Sequence, residues 1–265
     1  MVVGVFLLAG CAGDPPASAP TGTPGPGPDA SAPDAGPAGP KPRFMVVTHT
    51  AGFRHDSIPV AEQTLSELAT KSGEYEVAFA RNADDVKSML TPAGLDGFAG
   101  VVFANTTGDL GIPDLTAFLD WIAQGHAFIG AHSATDTYRD KPEYVAMIGA
   151  AFKQHGAQCE VEPKVEDTSH PAAAGLGTTF KIFDEIYEFA DNPRPRVQVL
   201  FALDKHPPDG HPEANQPGDY PLAWSRTHGK GRVFYTALGH GNETWKDERF
   251  RQHLLGAIRW SVSAR

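Results

Sequence analysis

Short apolar runs alternate with amphipathic segments along residues 43–131. The runs predict strands at 44–48, 75–80, 100–104 and 127–131, because buried strands of a parallel sheet read as near-continuous apolar stretches. The amphipathic segments predict helices at 59–72, 83–90 and 112–124. Strands alternating with helices at this spacing indicate an α/β fold, with helices on both faces of an open, mainly parallel sheet.

The alternation is weaker after residue 150. Strands are predicted at 159–166, 186–190, 198–203, 222–227 and 233–238, and a closing helix at 247–262. The last two strands flank His228-Gly229-Lys230-Gly231, which is typical of a hairpin. The Pro-rich segment 205–221 is predicted to be a long irregular loop. Loops of this length are often functional, so a lid over a site is one interpretation.

The first 42 residues do not follow the pattern of a folded domain. An apolar run at 2–10 ends in Leu8-Ala9-Gly10-Cys11, which is typical of a lipobox, although no Lys or Arg precedes it. We therefore expect a lipoprotein signal peptide over 1–11, lipidation of Cys11 and attachment to the cell envelope, on its periplasmic face or at the cell surface. Residues 12–42 consist almost entirely of Ala, Pro, Gly, Ser, Thr and Asp, which predicts a disordered tether. The folded domain is then 43–265; the alternative is a cytosolic protein with a chance apolar start.

Composition narrows the class of function. Of 265 residues, 41% are hydrophobic and 20% charged, as in an ordinary globular protein. The net charge is -10 and there is no sustained basic run, which argues against a nucleic-acid partner because phosphate backbones are bound by clustered Lys and Arg. Cys159 is the only cysteine besides Cys11, and its place in an apolar strand pattern favours a core position.

Histidine follows three of the predicted strands at their carboxyl ends. His49 and His55 follow the first strand, His132 follows the fourth, and His240 follows the last. Ligands of parallel α/β sheets bind beyond the carboxyl ends of the strands. These imidazoles are therefore expected to converge on one cleft, as bases or as metal ligands.

Several motifs in this order resemble one known family. They are the segments 48–55 and 130–133, Glu185-Ile186-Tyr187, Pro221-Leu222-Ala223-Trp224 and the run from 229 to Gly239-His240. Together they resemble the ThuA family, named for trehalose utilization, over about residues 42–263. The resemblance implies a flavodoxin-like sheet related to class I glutamine amidotransferases.

The catalytic cysteine of those amidotransferases has no counterpart in this sequence. Their cysteine lies on a tight turn between strand and helix, and the corresponding stretch here is Gly130-Ala131-His132-Ser133-Ala134. Glutamine hydrolysis through a thiolate is therefore not expected. Ser133 as a nucleophile, with His132 or His240 as its base, is the less favoured alternative, because adjacent residues at a turn seldom aim at one point.

The resemblance also implies a carbohydrate substrate. We expect an exported enzyme, a lyase, isomerase or hydrolase, that acts by acid–base chemistry on a glycoside or keto-glycoside supplied by a partner sugar dehydrogenase. The alternative is a non-catalytic domain that binds a carbohydrate or scaffolds a partner. The expected catalytic residues are His132, His240 and Glu185.

Further residues are assigned to substrate binding or to a metal. The substrate-binding candidates are His49, Arg54, His55, Ser133, Asp136, Tyr187 and Trp224. Arg54 could equally form a structural ion pair, and a tryptophan in a strand, such as Trp224, more often belongs to the core. No cofactor is firmly expected, but a divalent metal such as zinc could use His49, His55, His132 and His240. His170 is expected near the rim of the cleft, and His155, His206, His211 and His253 on the surface.

Overall fold

The computed structural model describes residue 1 and residues 40–263. The predicted signal peptide, Cys11 and most of the predicted tether lie outside the described residues. None of the helices in the described part is long and apolar enough to cross a membrane.

The described chain contains twelve strands and six α-helices. The strands are β1 Arg43–Val47, β2 Glu76–Ala80, β3 Gly100–Ala104, β4 Ala127–Ala131, β5 Phe152–His155, β6 Cys159–Val161, β7 Lys164–Val165, β8 Ile182–Asp184, β9 Tyr187–Phe189, β10 Gln198–Lys205, β11 Pro217–His228 and β12 Gly231–Thr236. The helices are α1 Ile58–Ser72, α2 Ala83–Met89, α3 Leu115–Ala123, α4 Pro142–Ile148, α5 Asn242–Lys246 and α6 Glu248–Val262.

Eight strands form the central sheet in the order β2-β1-β3-β4-β12-β11-β10-β7. The first five are parallel to one another, and β11, β10 and β7 continue the sheet in antiparallel fashion. Two small antiparallel pairs, β5–β9 and β6–β8, lie outside this sheet. The expectation of an α/β fold with a mainly parallel sheet is confirmed.

Helices cover both faces of the sheet centre. Successive side chains of a strand point to opposite faces, and every residue of β3 and β4 is buried. On one face Phe103 contacts Phe118 of α3 and Tyr144 of α4. On the other face Phe234 of β12 contacts His253 of α6. The carboxyl ends of β3, β4 and β12 are therefore held in place by packed side chains on both faces of the sheet.

Some predicted elements differ from the observed ones for identifiable reasons. The strand expected at 159–166 is divided at Pro163, which lacks the N–H that a ladder needs, and β6 and β7 join different sheets. α3 begins only at Leu115, because Asp114 caps it by accepting the N–H of Ala117. The segment expected to be irregular at 205–221 is a loop only over 206–216, since β10 and β11 extend into it.

Candidate functional site

His132 occupies the sharp turn that follows β4. Its backbone has φ 50°, an unusual conformation for a residue with a side chain, and a short 3-10 helix, His132–Thr135, begins there. The imidazole is fully buried, and Nδ1 lies 2.9 Å from the carbonyl oxygen of Ala237. A carbonyl can only accept a hydrogen bond, so Nδ1 carries the proton and Nε2 points away from the strand with a lone pair when the ring is neutral.

The turn after β12 brings His240 to the same place. Asn105, at the end of β3, donates from Nδ2 to the carbonyl oxygen of Gly239 at 2.8 Å, and Ser57 donates to the carbonyl oxygen of His240 at 2.6 Å. His240 Nδ1 then lies 3.2 Å from His132 Nε2. The side chains of Asn105 and Ser57 thus hold the turn in which the His240 imidazole lies next to that of His132.

His55 completes a group of three imidazoles. It lies in the loop after β1, just before α1, and is buried with its ring centroid 4.9 Å from that of His132 and 5.1 Å from that of His240. His55 Nδ1 is buried without a hydrogen-bond partner among the described residues. A buried ring nitrogen without a partner is costly unless something else binds it.

Glu185 brings a carboxylate to these imidazoles. It lies in the connection between β8 and β9. Its Oε2 is 3.1 Å from His240 Nδ1 and 3.5 Å from His132 Nε2, and its Oε1 is 3.1 Å from His155 Nδ1. His55, His132, Glu185 and His240 therefore form one compact group, which we call the His/Glu cluster.

Asp184 holds two parts of the His/Glu cluster in position. It is fully buried, and its carboxylate accepts the backbone N–H groups of Gly239 at 2.7 Å, His240 at 3.1 Å and Glu185 at 3.0 Å. Burial raises the pKa of the Asp184 carboxyl, and the His132 imidazole and these N–H groups counteract that rise. One buried side chain thus connects the β12 turn to the residue that supplies the carboxylate.

The electrostatics of the His/Glu cluster favour neutral and anionic donors. Burial, together with the neighbouring imidazoles of His132 and His240, lowers the pKa of His55 to about 3. Burial would raise the pKa of Glu185, but its contacts with the imidazoles of His132 and His240 lower it to about 2. The hydrogen bond with Glu185 raises the pKa of His240. At neutral pH the cluster therefore contains an ionised carboxylate and at least one neutral imidazole.

A cleft of about 340 Å³ opens above the His/Glu cluster. Three aromatic rings line it, those of Phe53, Phe152 and Tyr187. The other lining residues are polar: His55, Thr107, Asp136, His155, Glu185 and His240. Such a volume lies within the range of about 300–1,000 Å³ usual for small-molecule sites. Burial raises the pKa of the half-buried Asp136, so this carboxyl holds a proton more readily than an exposed one.

Four of the predicted site residues lie outside both this cleft and the His/Glu cluster. His49 is half-buried, and burial together with the charge of Arg54 lowers its pKa. Arg54 is exposed, with Nη1 3.5 Å from the carbonyl oxygen of Thr48. Neither residue contributes to the His/Glu cluster, because the loop after β1 turns only His55 inward.

Trp224 and Ser133 require a similar correction. Trp224 is fully buried and donates from Nε1 to the carbonyl oxygen of Ile148 at 2.8 Å, so it belongs to the core and offers no face to a sugar. Ser133 is also fully buried, and its Oγ has no partner among the described residues. No imidazole is therefore placed to activate this hydroxyl.

His155 and Asp184 were missed by the sequence reasoning. His155 ends β5, a strand that pairs with β9 beside Glu185 and that the sequence pattern does not reveal. Three other histidines are more buried than expected. His206 and His253 are buried, although they were expected on the surface. His170 is buried and packs on Trp260 instead of reaching the rim of the cleft.

Cys159 is the single cysteine among the described residues and lies buried in β6. Burial raises the pKa of its thiol to about 11, so the thiol is protonated at neutral pH. It does not line the cleft.

The fold and the His/Glu cluster define an α/β protein whose site lies at the carboxyl edge of a mainly parallel sheet. The profile of the ThuA family, described as trehalose utilisation, matches residues 43–261. The chain belongs to the ThuA family, as its sequence motifs suggest, and this membership connects it with carbohydrate utilisation.

Solved structures show the same fold. A ThuA-like protein from Parabacteroides merdae superposes with a TM-score of 0.70 at 18% identity, covering 84% of this chain and 91% of that one. A ThuA-like protein from Bacteroides uniformis gives 0.64 at 22% identity, with coverage of 86% and 95%. A β-galactosidase from Bacillus circulans gives 0.54 at 11% identity, covering 83% of this chain and 31% of that one. The comparison with curated proteins finds no match.

Proposed function

We propose that this protein is an enzyme of carbohydrate catabolism that acts on a glycoside or keto-glycoside as a lyase, isomerase or hydrolase, without a cysteine nucleophile. The observation that carries the proposal is the His/Glu cluster at the floor of a cleft with aromatic walls. Family membership supports the substrate class.

The cleft offers the two kinds of contact that a sugar needs. The rings of Phe53, Phe152 and Tyr187 provide apolar surfaces for the C–H faces of a pyranose. The polar groups of the His/Glu cluster, together with Asp136 and Thr107, can hydrogen-bond its hydroxyl or carbonyl oxygens. Phe53, with 66% of its surface exposed, offers the aromatic contact with the sugar that was considered for Trp224.

We assign the chemical centre to His132, His240 and Glu185, and proton transfer at the substrate carbon to Asp136. A carbonyl group acidifies the neighbouring C–H bond of a keto-glycoside, so a carboxylate can remove that proton. The electron pair of the broken C–H bond then forms a C=C bond, and the oxygen substituent on the next carbon leaves and takes up a proton. The same transfer without loss of the substituent is an isomerisation.

The proposal includes the cellular setting. The motif Leu8-Ala9-Gly10-Cys11 supports a lipid anchor at Cys11, and the composition of residues 12–42 supports a tether. A membrane-anchored enzyme of this kind would receive its keto-glycoside from a sugar dehydrogenase in the same compartment.

Incubation of the purified chain with oxidised disaccharides, followed by mass spectrometry, tests the proposal. We expect a product that contains one altered sugar ring, and we expect Asp136→Asn and His240→Ala each to reduce its rate of formation by about 100-fold or more. His228→Ala is the matched control, because His228 ends β11 at the hairpin, at the opposite edge of the sheet.

Two results would overturn parts of the proposal. One is full activity of both cleft variants on a verified substrate, which would refute the assignment of the active-site residues. The other is saturable binding of the disaccharide with no product, which would establish the alternative of a non-catalytic carbohydrate-binding domain.

A further inference from the structure

We propose that His55, His132, Glu185 and His240 bind one divalent transition-metal ion of the zinc type. The inference deepens the proposed function, because it specifies what the chemical centre contains. It rests on the positions and chemistry of four donors from separate parts of the chain, whose ligand atoms all lie within 4.8 Å of one another.

The spacing of the donors matches the coordination shell of a small ion. A tetrahedral zinc ion holds nitrogen and oxygen ligands at about 2.0–2.1 Å, which places the ligand atoms about 3.3 Å apart. Among His132 Nε2, His240 Nδ1 and Glu185 Oε2 the three separations are 3.2, 3.1 and 3.5 Å. These three atoms therefore form one face of a tetrahedron of the required size, and His55 lies beside it.

The surroundings of His132 and Glu185 leave one donor atom of each side chain available to an ion. His132 gives its Nδ1 proton to the carbonyl oxygen of Ala237, which leaves Nε2 free to bind an ion. Metal-binding histidines are commonly oriented by such a bond from the other ring nitrogen. His155 lies against Glu185 Oε1, so that Oε2 is the oxygen directed into the His/Glu cluster.

Hydrogen bonds alone satisfy this group poorly. His240 Nδ1 carries at most one proton, yet it lies within 3.2 Å of both His132 Nε2 and Glu185 Oε2. His55 adds a buried Nδ1 that has no partner among the described residues. A metal ion accepts lone pairs from all four side chains at once, and the ionised carboxylate of Glu185 offsets part of its charge.

The donor set also selects among ions. Three imidazoles with one carboxylate suit zinc and its neighbours in the first transition row, whereas magnesium prefers oxygen ligands and water. Because His55, Glu185 and His240 line the cleft, an ion bound there would face the substrate and polarise one of its oxygen atoms. Proton transfer remains with Asp136, which is outside the donor set.

A second group of similar residues serves as the internal control. His206, His211 and Glu213 also lie close together. However, both ring nitrogens of His206 are engaged, Nδ1 with the carbonyl oxygen of Pro207 at 3.0 Å and Nε2 with Glu188 at 3.1 Å. We therefore expect no ion at this second group.

Metal analysis of the full chain tests the inference. After removal of metals with a chelator, the protein is titrated with Zn²⁺ in a calorimeter and with Co²⁺ in a spectrophotometer, and bound metal is counted by plasma mass spectrometry. We expect one Zn²⁺ per chain, visible absorption bands of tetrahedral or five-coordinate Co²⁺, and no binding of Mg²⁺ at the same concentration.

The variants identify the ligands. Glu185→Gln and His240→Ala should each weaken Zn²⁺ binding by about 100-fold or more, whereas His211→Ala should bind as the unmodified chain does. Circular dichroism verifies that each variant is folded, and Glu185→Gln preserves the shape of the side chain. Absence of stoichiometric metal, or equal loss of metal in His211→Ala, would overturn the inference.

The outcome separates this inference from the proposed function. Stoichiometric zinc in a protein that converts no sugar would refute only the carbohydrate reaction. Full turnover by protein shown to contain no metal would refute only the metal centre.

Discussion

His132 adopts a backbone conformation that residues other than glycine normally avoid. A non-glycine residue with positive φ costs about 1–3 kcal/mol, and it persists only where its surroundings enforce it. Here the Tyr235 hydroxyl donates to the carbonyl oxygen of His132 at 2.7 Å, while the His132 ring bonds to the carbonyl oxygen of Ala237. These two hydrogen bonds hold the strained turn between strand and helix, and the side chain at this turn is an imidazole rather than a thiol.

Phe53 should contribute to substrate affinity and not to chemistry. Its exposed ring lies at the edge of the cleft, and aromatic contacts are worth about 0.5–1.5 kcal/mol beyond the area they bury. We expect Phe53→Ala to raise KM for the sugar substrate by up to about tenfold, with kcat and zinc content little changed. Steady-state kinetics with metal analysis checks this.

Phe183 provides the matched control for Phe53. It is a phenylalanine of similar exposure, 60% against 66%, but it does not line the cleft. An equal rise in KM for Phe183→Ala would mean that the effect of Phe53→Ala is not a contact with the sugar.

The catalytic candidates could be predicted from the sequence only where strand ends are legible. His132 directly follows β4, and His240 lies four residues after β12. Both strands have unmistakable apolar runs, so the proximity of the two residues follows from the rule for parallel sheets. His155 and Asp184 escape this reasoning because β5 and β8 are short, partly exposed strands in the small antiparallel pairs. His49 and His55 share one loop, and a sequence pattern does not reveal which of them turns inward.

The turn after β12 depends on glycine at position 239. Gly239 has φ 123°, a conformation that L-residues rarely adopt, and its carbonyl oxygen accepts hydrogen bonds from Asn105 and from Trp245. We expect Gly239→Ala to destabilise the protein by about 1–3 kcal/mol through backbone strain and to displace His240, with weaker zinc binding. Urea unfolding and zinc titration measure the two effects.

Gly241 is a matched control two residues along the chain. Its φ is -94°, and an added Cβ would meet only Gln158, at 3.8 Å. Gly241→Ala should therefore be tolerated. If it destabilised the chain as much as Gly239→Ala does, the explanation from positive φ would be wrong.

At the level of elements, long buried segments were the most predictable. β3 and β4 have the predicted bounds, because both faces are covered and their apolar runs are uninterrupted. α4 was missed, since its seven residues include Pro142 and carry few signals of periodicity. The segment 206–216 contacts Ala157 and Glu188 beside the cleft, and a motion of it as a lid stays a prediction.

The whole molecule should lose stability in mild acid because of buried histidines on the face covered by α6. Burial lowers the pKa of His253 to about 4 and that of His170 to about 4. The unfolded chain binds protons at these residues near the ordinary value of about 6.5, so it holds more protons than the native state between about pH 6.5 and 4. Their contribution is complete above this window and is lost as pH falls through it.

His253→Phe tests this effect while it preserves an aromatic ring in the core. Each such histidine should steepen the fall of the unfolding free energy by about 1.4 kcal/mol per pH unit inside the window. We expect the variant to show a shallower slope between pH 6 and 5 and an unchanged slope between pH 7 and 8, in urea unfolding at each pH. Identical slopes throughout would show that His253 does not titrate on unfolding.

The donors of the His/Glu cluster come from the loops after β1, β4, β8 and β12. A chain cut in the segment 206–216 would therefore separate His240 from the other three donors. Two such fragments, each inert alone, would regain the centre only by closing the sheet again between β11 and β10 and between β12 and β4. The reappearance of cobalt colour on mixing would then report reassembly of the split halves, which would make this site a built-in sensor of fragment complementation.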